Sequence, residues 1–333
     1  MAVFPTSGDF TTSPEYTGSF IPTLWSGKLL AKFYQNTMLS EIMNTDYEGE
    51  LKNKGDTIRI RTAPSITIND YTGAGSTLTT EVPTPITQDM QIDKAKYFSV
   101  QTNDVLAQQA DMDLMNMFTE DAAKQLKIAI EDEVFFNTFV TNGPAAANAG
   151  ANAGALSANY NLGTDVAPVS VSAAGTAGNL LNTILAMSAA LDEQNVPEDG
   201  RFLVISPYDR QILMQTNIAQ AYFTGDNSSI VRTGKIGMLD RFTVYVSNLL
   251  PKGAAAKALV PGLSATSGGA TLTDALARRT MVAGTKHACS FAMTISKTEP
   301  LRNQTDFGDI VRGLAVYGRK VVKNEALIVA KVT

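Results

Sequence analysis

Apolar and polar positions alternate along Asp56-Thr57-Ile58-Arg59-Ile60-Arg61, placing Ile58 and Ile60 on one side of an extended chain and Thr57, Arg59 and Arg61 on the other. This is the period of a half-exposed strand. After a turn at Ala63-Pro64-Ser65 the alternation resumes over Ile66-Thr67-Ile68. A return arm runs from about Ile86 to Thr102 through Ile92, Tyr97, Phe98 and Val100. Between the arms lies a tip, Tyr71 to Pro85, rich in Gly, Thr and Pro. The pattern predicts a long β-hairpin over 55–102. A two-stranded ribbon is marginal in water, and arms this polar give it no dense core. The expectation is that neighbouring molecules hold it, which points to an assembly protein.

Elsewhere the period is mostly helical. Residues 1–20, with Pro5, Gly8, Pro14 and Gly18, keep neither period and read as an extended arm. Pro22 suits the first turn of a helix, whose apolar face is Trp25, Leu29, Leu30, Phe33 and Met38. The longest helical pattern runs from about Asp111 to Phe139, with Met115, Phe118, Ala122, Leu126, Ala129 and Ile130 in one stripe. Such a helix is roughly 40 Å long. Glu131-Asp132-Glu133 within it reads as a solvated face. Residues 143–178, dominated by Ala, Gly, Asn and Ser, read as a flexible or loosely packed surface segment. A second helix starts at Asn179. Arg201 to Ser206 reads as a buried strand, and Ser206-Pro207-Tyr208-Asp209 as a helix start with Ser206 as cap. Phe242, Val244 and Val246 alternate along another strand. Residues 252–280 are again Ala-, Gly- and Thr-rich, with a turn at Gly268-Gly269. Strands over about 288–295, 310–322 and 326–332 close the chain.

This order predicts an α+β fold with one inserted middle domain. The expected divisions are an arm and first helix at 1–54, the hairpin at 55–102 and a body with the long helix at 103–178. An inserted domain at 179–296 and returning strands at 297–333 complete it.

Charge and cysteine usage narrow the function. The 333 residues are 44% hydrophobic with a net charge of −5. No strongly basic block is present, which argues against tight sequence-specific DNA binding but leaves loose contact open. The single cysteine, Cys289, cannot form an internal disulfide, and a reducing compartment fits. No apolar run approaches the ~20 residues that span a bilayer. Met1 to Gly8 does not read as a signal peptide. The expectation is a soluble protein, without a membrane partner, assembled in a cytoplasm.

Candidate chemistry is sparse. His287 and Cys289 would share one face of a strand, but no third group is in place to orient them as a nucleophilic pair, and no partners surround His287 for a zinc site. Asp104, Asp111, Asp113, Glu120 and Asp121 come close together. The first three flank a helix start, where negative charge suits the dipole. The glycines at 143, 150, 154 and 163 lack the Gly-Lys-Ser/Thr of a phosphate loop. No catalytic, cofactor or metal site is expected. Arg59 and Arg61 share one face of the hairpin arm, either as a solvated edge or as contacts to acidic residues of an adjacent subunit. Trp25 reads as an anchor in the subunit core or an interface. The candidate inter-subunit contacts are Trp25, Arg59, Arg61, Asp70, Tyr71 and Glu81.

Taken in order, four stretches resemble the major capsid proteins of tailed bacteriophages, the Hong Kong 97-type shell fold. The first is Asp46-Tyr47-Glu48-Gly49-Glu50 with Gly55 to Ile60, and the second is Ile92-Asp93-Lys94-Ala95-Lys96-Tyr97-Phe98. The third is Asn195-Val196-Pro197 through Phe202 to Pro207, then Gly237 to Asn248. The fourth is Thr298-Glu299, Asp306-Phe307-Gly308-Asp309 and Val311-Arg312-Gly313-Leu314 through Tyr317-Gly318. The resemblance spans most of residues 20–333. It implies an N-terminal arm, an extended hairpin loop, a long spine helix, a peripheral domain and an inserted axial domain. It further implies hexamers and pentamers closing an icosahedral shell around double-stranded DNA, with a portal protein at one vertex. An N-terminal coiled-coil region of ~100 residues is absent, so the resemblance implies a separate scaffolding protein; whether a decoration protein also binds stays open. Two other readings remain: an encapsulin-like compartment shell, and a hydrolase with an acidic pair.

Overall fold

The computed structural model describes residues 37–46, 57–62, 64, 66–71, 73, 78, 80–104, 108, 114–141, 143–171, 180–215, 237–251 and 278–333. The arm at 1–20, the helix expected from Pro22 with Trp25, the stretch Tyr47 to Asp56, Asp111, Asp113 and the turn at Gly268-Gly269 lie outside the described residues.

Alternation over Thr57–Thr62 (β1) and Ile86–Gln91 (β2) produces an antiparallel pair with Thr57 opposite Gln91 and Thr62 opposite Ile86. The hairpin is shorter than its sequence suggests. Ile66 to Ile68 is not in a strand, and the return arm divides at Ile92-Asp93. Its second part, Lys94–Asn103 (β3), leaves the hairpin and pairs antiparallel with Gly308–Val321 (β9), which also pairs with Cys289–Arg302 (β8). The three-stranded sheet therefore runs β3-β9-β8.

The expectation that the hairpin has nothing of its own to fold against is corrected at its base. Ile58, Ile60, Met90 and Ile92 are buried with Ala292 and Val316 of the sheet. Each such side chain is worth about 1.5–3 kcal/mol when buried, enough to seat the base without a neighbour. Gly318 permits the approach: a Cβ there would lie 2.6 Å from the Gln91 carbonyl oxygen. The Gly318→Val variant should lift the base off the sheet and expose Met90, raising dye binding to apolar surface while the five-stranded sheet stays folded.

The spine helix, Leu114–Glu133 (α2, after the short α1 at Leu39–Ile42), continues as a π-helix over Val134–Thr141. It packs against β3 and β9. Phe135 and Phe139 enter the main core with Leu180–Glu193 (α3). That core also holds a five-stranded sheet of order β10-β7-β4-β6-β5, formed by Leu327–Val332, Arg279–Thr285, Arg201–Ile205, Phe242–Val246 and Met238–Leu239. β4 and β6 are parallel and the other neighbours antiparallel. β4 is buried along its whole length, which explains its unbroken apolar run. Pro207–Gln215 (α4) starts as expected: the Asp209 N–H donates to Ser206 Oγ at 3.2 Å, and Ser206 Oγ donates back to the Asp209 carboxylate at 2.7 Å. Two features cut across the expected divisions. β8 runs continuously through 296/297, and β10 joins the sheet of the middle domain rather than its sequence neighbour β9.

Residues 143–171 are the largest departure from the sequence reading. Low complexity here does not mean loose packing. Ala153 and Leu162 are fully buried. The Lys331 N–H donates to the Leu162 carbonyl at 2.7 Å, and the Val169 N–H donates to the Lys331 carbonyl at 2.8 Å. The segment thereby occupies the outer edge of β10, an edge that otherwise offers unpaired groups. Gly163, at φ +77°, has the Lys331 carbonyl oxygen where a Cβ would sit. Asn148, fully buried, donates to the Glu325 and Leu327 carbonyls at 2.6 and 2.9 Å and accepts from Gln194 at 3.1 Å. Asn148→Ala orphans these buried groups and should cost about 2 kcal/mol, measured by urea unfolding. Protease should leave 143–171 intact in the folded subunit.

Candidate assembly interface

Pairing in the hairpin base fixes which residues can face another molecule. With Ile58 and Ile60 turned to the sheet, Arg59 and Arg61 are exposed on the opposite face. The register sets Arg59 across from Asp89, and Arg59 Nε donates to Asp89 Oδ1 at 3.0 Å. Both partners are largely solvated, so the pair adds at most about 1 kcal/mol.

Beyond the paired strands, Asp70 and Tyr71 are exposed, and the exposed Glu81 carboxylate accepts the Thr67 N–H at 2.9 Å across the ribbon. Around these stand Ile66, Ile68, Leu78 and Val82, each at least 66% exposed. The base of the hairpin thus satisfies its own apolar face, while the distal part leaves these four apolar side chains uncovered in the single chain. Trp25 lies outside the described residues; of the other five expected contact residues, Arg59 and Arg61 lie on β1, and Asp70, Tyr71 and Glu81 are exposed beyond the paired strands.

The three-stranded sheet offers a second exposed face. Tyr97, Leu314 and Leu301 are exposed there, and Phe307 is exposed in the turn between β8 and β9. On this face Arg312 pairs with Glu299 at 3.1 Å; at the end of the sheet Arg302 pairs with Asp104 and, at 3.0 Å, with Asp309. The Arg302 guanidinium holds the Asp104 carboxyl below its ordinary value. Asp104 is therefore a partner of Arg302, not part of an acid–base pair.

Glu131-Asp132-Glu133 is not a solvated face. Glu131 and Asp132 are buried and Glu133 is half-buried. Tyr317 donates a hydrogen bond to Glu133, Arg319 donates to it at 3.1 Å, and Lys96 stands 3.5 Å away. Arg319 also donates to Thr138 Oγ1 at 2.5 Å in the π-helical segment. Burial alone would raise the Glu133 carboxyl, but these donors hold it below its ordinary value; burial and the same carboxylate raise the Tyr317 hydroxyl. The cluster ties the spine helix to the central strand β9 and to β3. Sequence reading missed it, although three acids set between Ile128, Ile130, Val134 and Phe135 were a usable signal.

His287 and Cys289 do not form a pair. Lys286–Ala288 is a 3-10 turn that leaves His287 exposed, whereas Cys289 begins β8 inside the core. Burial raises the Cys289 thiol, which suppresses the thiolate a nucleophile needs. Among the described residues, no group of three or more His, Cys, Asp or Glu could hold a metal ion. No described helix is long and apolar enough to cross a membrane. The His287→Gln, Cys289→Ala double variant should fold and associate as the parent does, checked by sedimentation velocity.

This sheet arrangement is that of a known class of protein. Residues 86–330 match the family model for phage capsid protein. The chain belongs to the phage capsid protein family. Structures with the same fold include Mycobacterium phage Che8 (23% identity, TM-score 0.68, covering 94% of this chain and 97% of that one). The capsid of cyanophage P-SCSP1u is similar at 17% identity and TM-score 0.68, covering 100% and 99%. The mature capsid of bacteriophage PhiM1 is similar at 16% identity and TM-score 0.66, covering 94% and 92%. No curated protein sequence matches the chain. The capsid protein thus has the α+β, Hong Kong 97-type fold that its sequence resembles. It is a structural component of a virion shell built from copies of itself, and not an enzyme.

Proposed function

We propose that this capsid protein is the major shell subunit of a tailed bacteriophage, forming hexamers and pentamers that close around double-stranded DNA. The observation that carries this reading is the distal hairpin, whose Ile66, Ile68, Tyr71, Leu78 and Val82 are all exposed in the single chain. Copies around a ring can cover these side chains, and many modest contacts per subunit give a stable shell that still corrects errors. Arg61, Asp70, Tyr71 and Glu81 meet a neighbouring subunit, as does the outer face of Arg59; Trp25 serves as an anchor.

In this reading the peripheral body is the three-stranded sheet with the spine helix, and the axial body is the five-stranded sheet with α3 and α4. A net charge of −5 suits a container from which packed DNA must leave, since a strongly basic lining would retain it. A separate scaffolding protein guides assembly in the host cytoplasm, a portal protein fills one vertex, and a decoration protein is an optional partner. The test is expression with and without the scaffolding protein, followed by sedimentation and electron microscopy. Shells whose size depends on the scaffold support the reading. Small uniform shells filled with an enzyme, or a compact monomer with turnover, contradict it.

A further inference from the structure

Glu131 is the most unusual side chain of the spine helix. It is 1% exposed, with a neighbouring cavity of about 440 Å³ walled by Leu39, Phe98, Leu126, Phe291 and Leu314. Its Oε2 accepts two backbone N–H groups from a segment more than ninety residues earlier: Met38 at 2.9 Å and Leu39 at 3.3 Å. Its Oε1 is buried with no hydrogen-bond partner among the described residues. A single carboxylate therefore joins the chain entering α1 to the spine helix, and half of its acceptor capacity is unused in a desolvated place.

We infer that Glu131 is a proton-dependent clasp, closed on residues 38–39 when protonated and driven to open when ionised. The physical cause is the difference in solvation between the two forms. The closed geometry gives the anion two donors where water would give several. Opening hydrates it. The charged groups around Glu131 do not compensate. Lys127, one turn earlier on α2, and Lys297 on β8 line the same cavity, but Lys127 is exposed and Lys297 pairs with Glu299. Glu41 on α1 engages the Tyr245 hydroxyl. Asp132 is buried with a partner of its own. Glu133 is held by Tyr317, Arg319 and Lys96.

Burial raises the Glu131 carboxyl from 4.5 to about 7, with the two N–H groups pulling it partway back. A closed-state value above the open-state value means that closure is favoured at low pH and lost as pH rises through 7. Met38, Ile42 and Met43 are buried in the core in the closed form, and the opening proposed frees only the backbone at 38–39. The clasp gives the shell protein a titratable joint at the root of its N-terminal segment, apart from the contacts made by the hairpin.

The test is hydrogen exchange at the Met38 and Leu39 amides of the full chain from pH 5.5 to 8, corrected for intrinsic exchange and referenced to Leu203 in β4. Protection at 38–39 should fall by about tenfold or more in the parent and stay level in Glu131→Gln. Level protection in the parent, or the same fall in the variant, overturns the clasp. Should Glu131→Gln fail to fold, carbon-13 titration of the parent Glu131 carboxyl decides: a midpoint above 6 supports the clasp and one near 4.5 overturns it.

Discussion

Deleting Thr72 to Thr84 should abolish shells while leaving a folded subunit. The deletion removes part of the exposed tip, including Leu78, Glu81 and Val82, and spares the paired strands, since the last ladder pair is Thr62 with Ile86. It also spares Ile58, Ile60, Met90 and Ile92, which hold the hairpin base on its own sheet. Folding should therefore change by no more than about 0.5 kcal/mol, the range of ordinary surface changes. Shell formation loses a contact at every subunit, and multiplicity turns a modest loss per contact into failure of the whole. Circular dichroism should match the parent, and sedimentation should show only small species. Normal shells would show that the tip is not an assembly element. Global unfolding would show that it packs within its own subunit.

Arg319→Ala should be the most damaging single change within the subunit. Arg319 and Glu133 are each close to nine-tenths buried as side chains. Removing the guanidinium strips Glu133 and Thr138 of a donor and leaves a carboxylate facing the core with Tyr317 and Lys96 alone. Breaking a buried pair from one side costs about 3–5 kcal/mol, whereas replacing both members by apolar groups of similar volume is often nearly neutral. Glu133→Gln with Arg319→Met leaves no unpaired buried charge and keeps an acceptor for the Tyr317 hydroxyl, so it should regain most of the loss in urea unfolding. If the double variant is as unstable as Arg319→Ala, the cluster acts through packing and not through charge.

The two carboxylates of this helix also respond to pH with opposite signs. Glu133, held below its ordinary value, contributes stability that is present above 4.5 and lost as acid protonates it. Glu131, raised to about 7, contributes stability that is present below 4.5 and lost as pH rises toward and through 7. Glu131→Gln should flatten the alkaline side of the stability profile and leave the acid side unchanged.

The local pattern of the chain was enough to place β1 and β6 from alternation, β4 from its unbroken apolar run, the spine helix from its helical stripe and the Ser206 cap from a single side chain. What it could not supply was partner choice. Ile92 to Val100 alternates equally well beside the first arm of the hairpin or beside β9, and the choice depends on the burial of Met90 and Ile92 against Ala292 and Val316, far away in sequence. The Ala- and Gly-rich composition of 143–171 hid a packed edge, since small residues and a buried Asn148 are what let backbone approach backbone there. The acids at 131–133 were misread for a related reason: charge usually means solvent, and the partners lie far off in sequence, Tyr317 and Arg319 for Glu133 and the Met38 and Leu39 N–H groups for Glu131. The hairpin face carrying Arg59 and Arg61 was legible from alternation alone, but what covers the distal tip is a property of the assembly and not of one chain.

Electron microscopy of assembled particles, with the subunit traced in the reconstruction, tests the central claim most directly. The account predicts closed icosahedral shells in which the hairpin base stays on its own three-stranded sheet while Ile66, Ile68, Tyr71, Leu78 and Val82 are covered by an adjacent copy. Particles in which these side chains remain exposed to solvent, or a protein that stays a compact monomer in the presence of its scaffold, would contradict it.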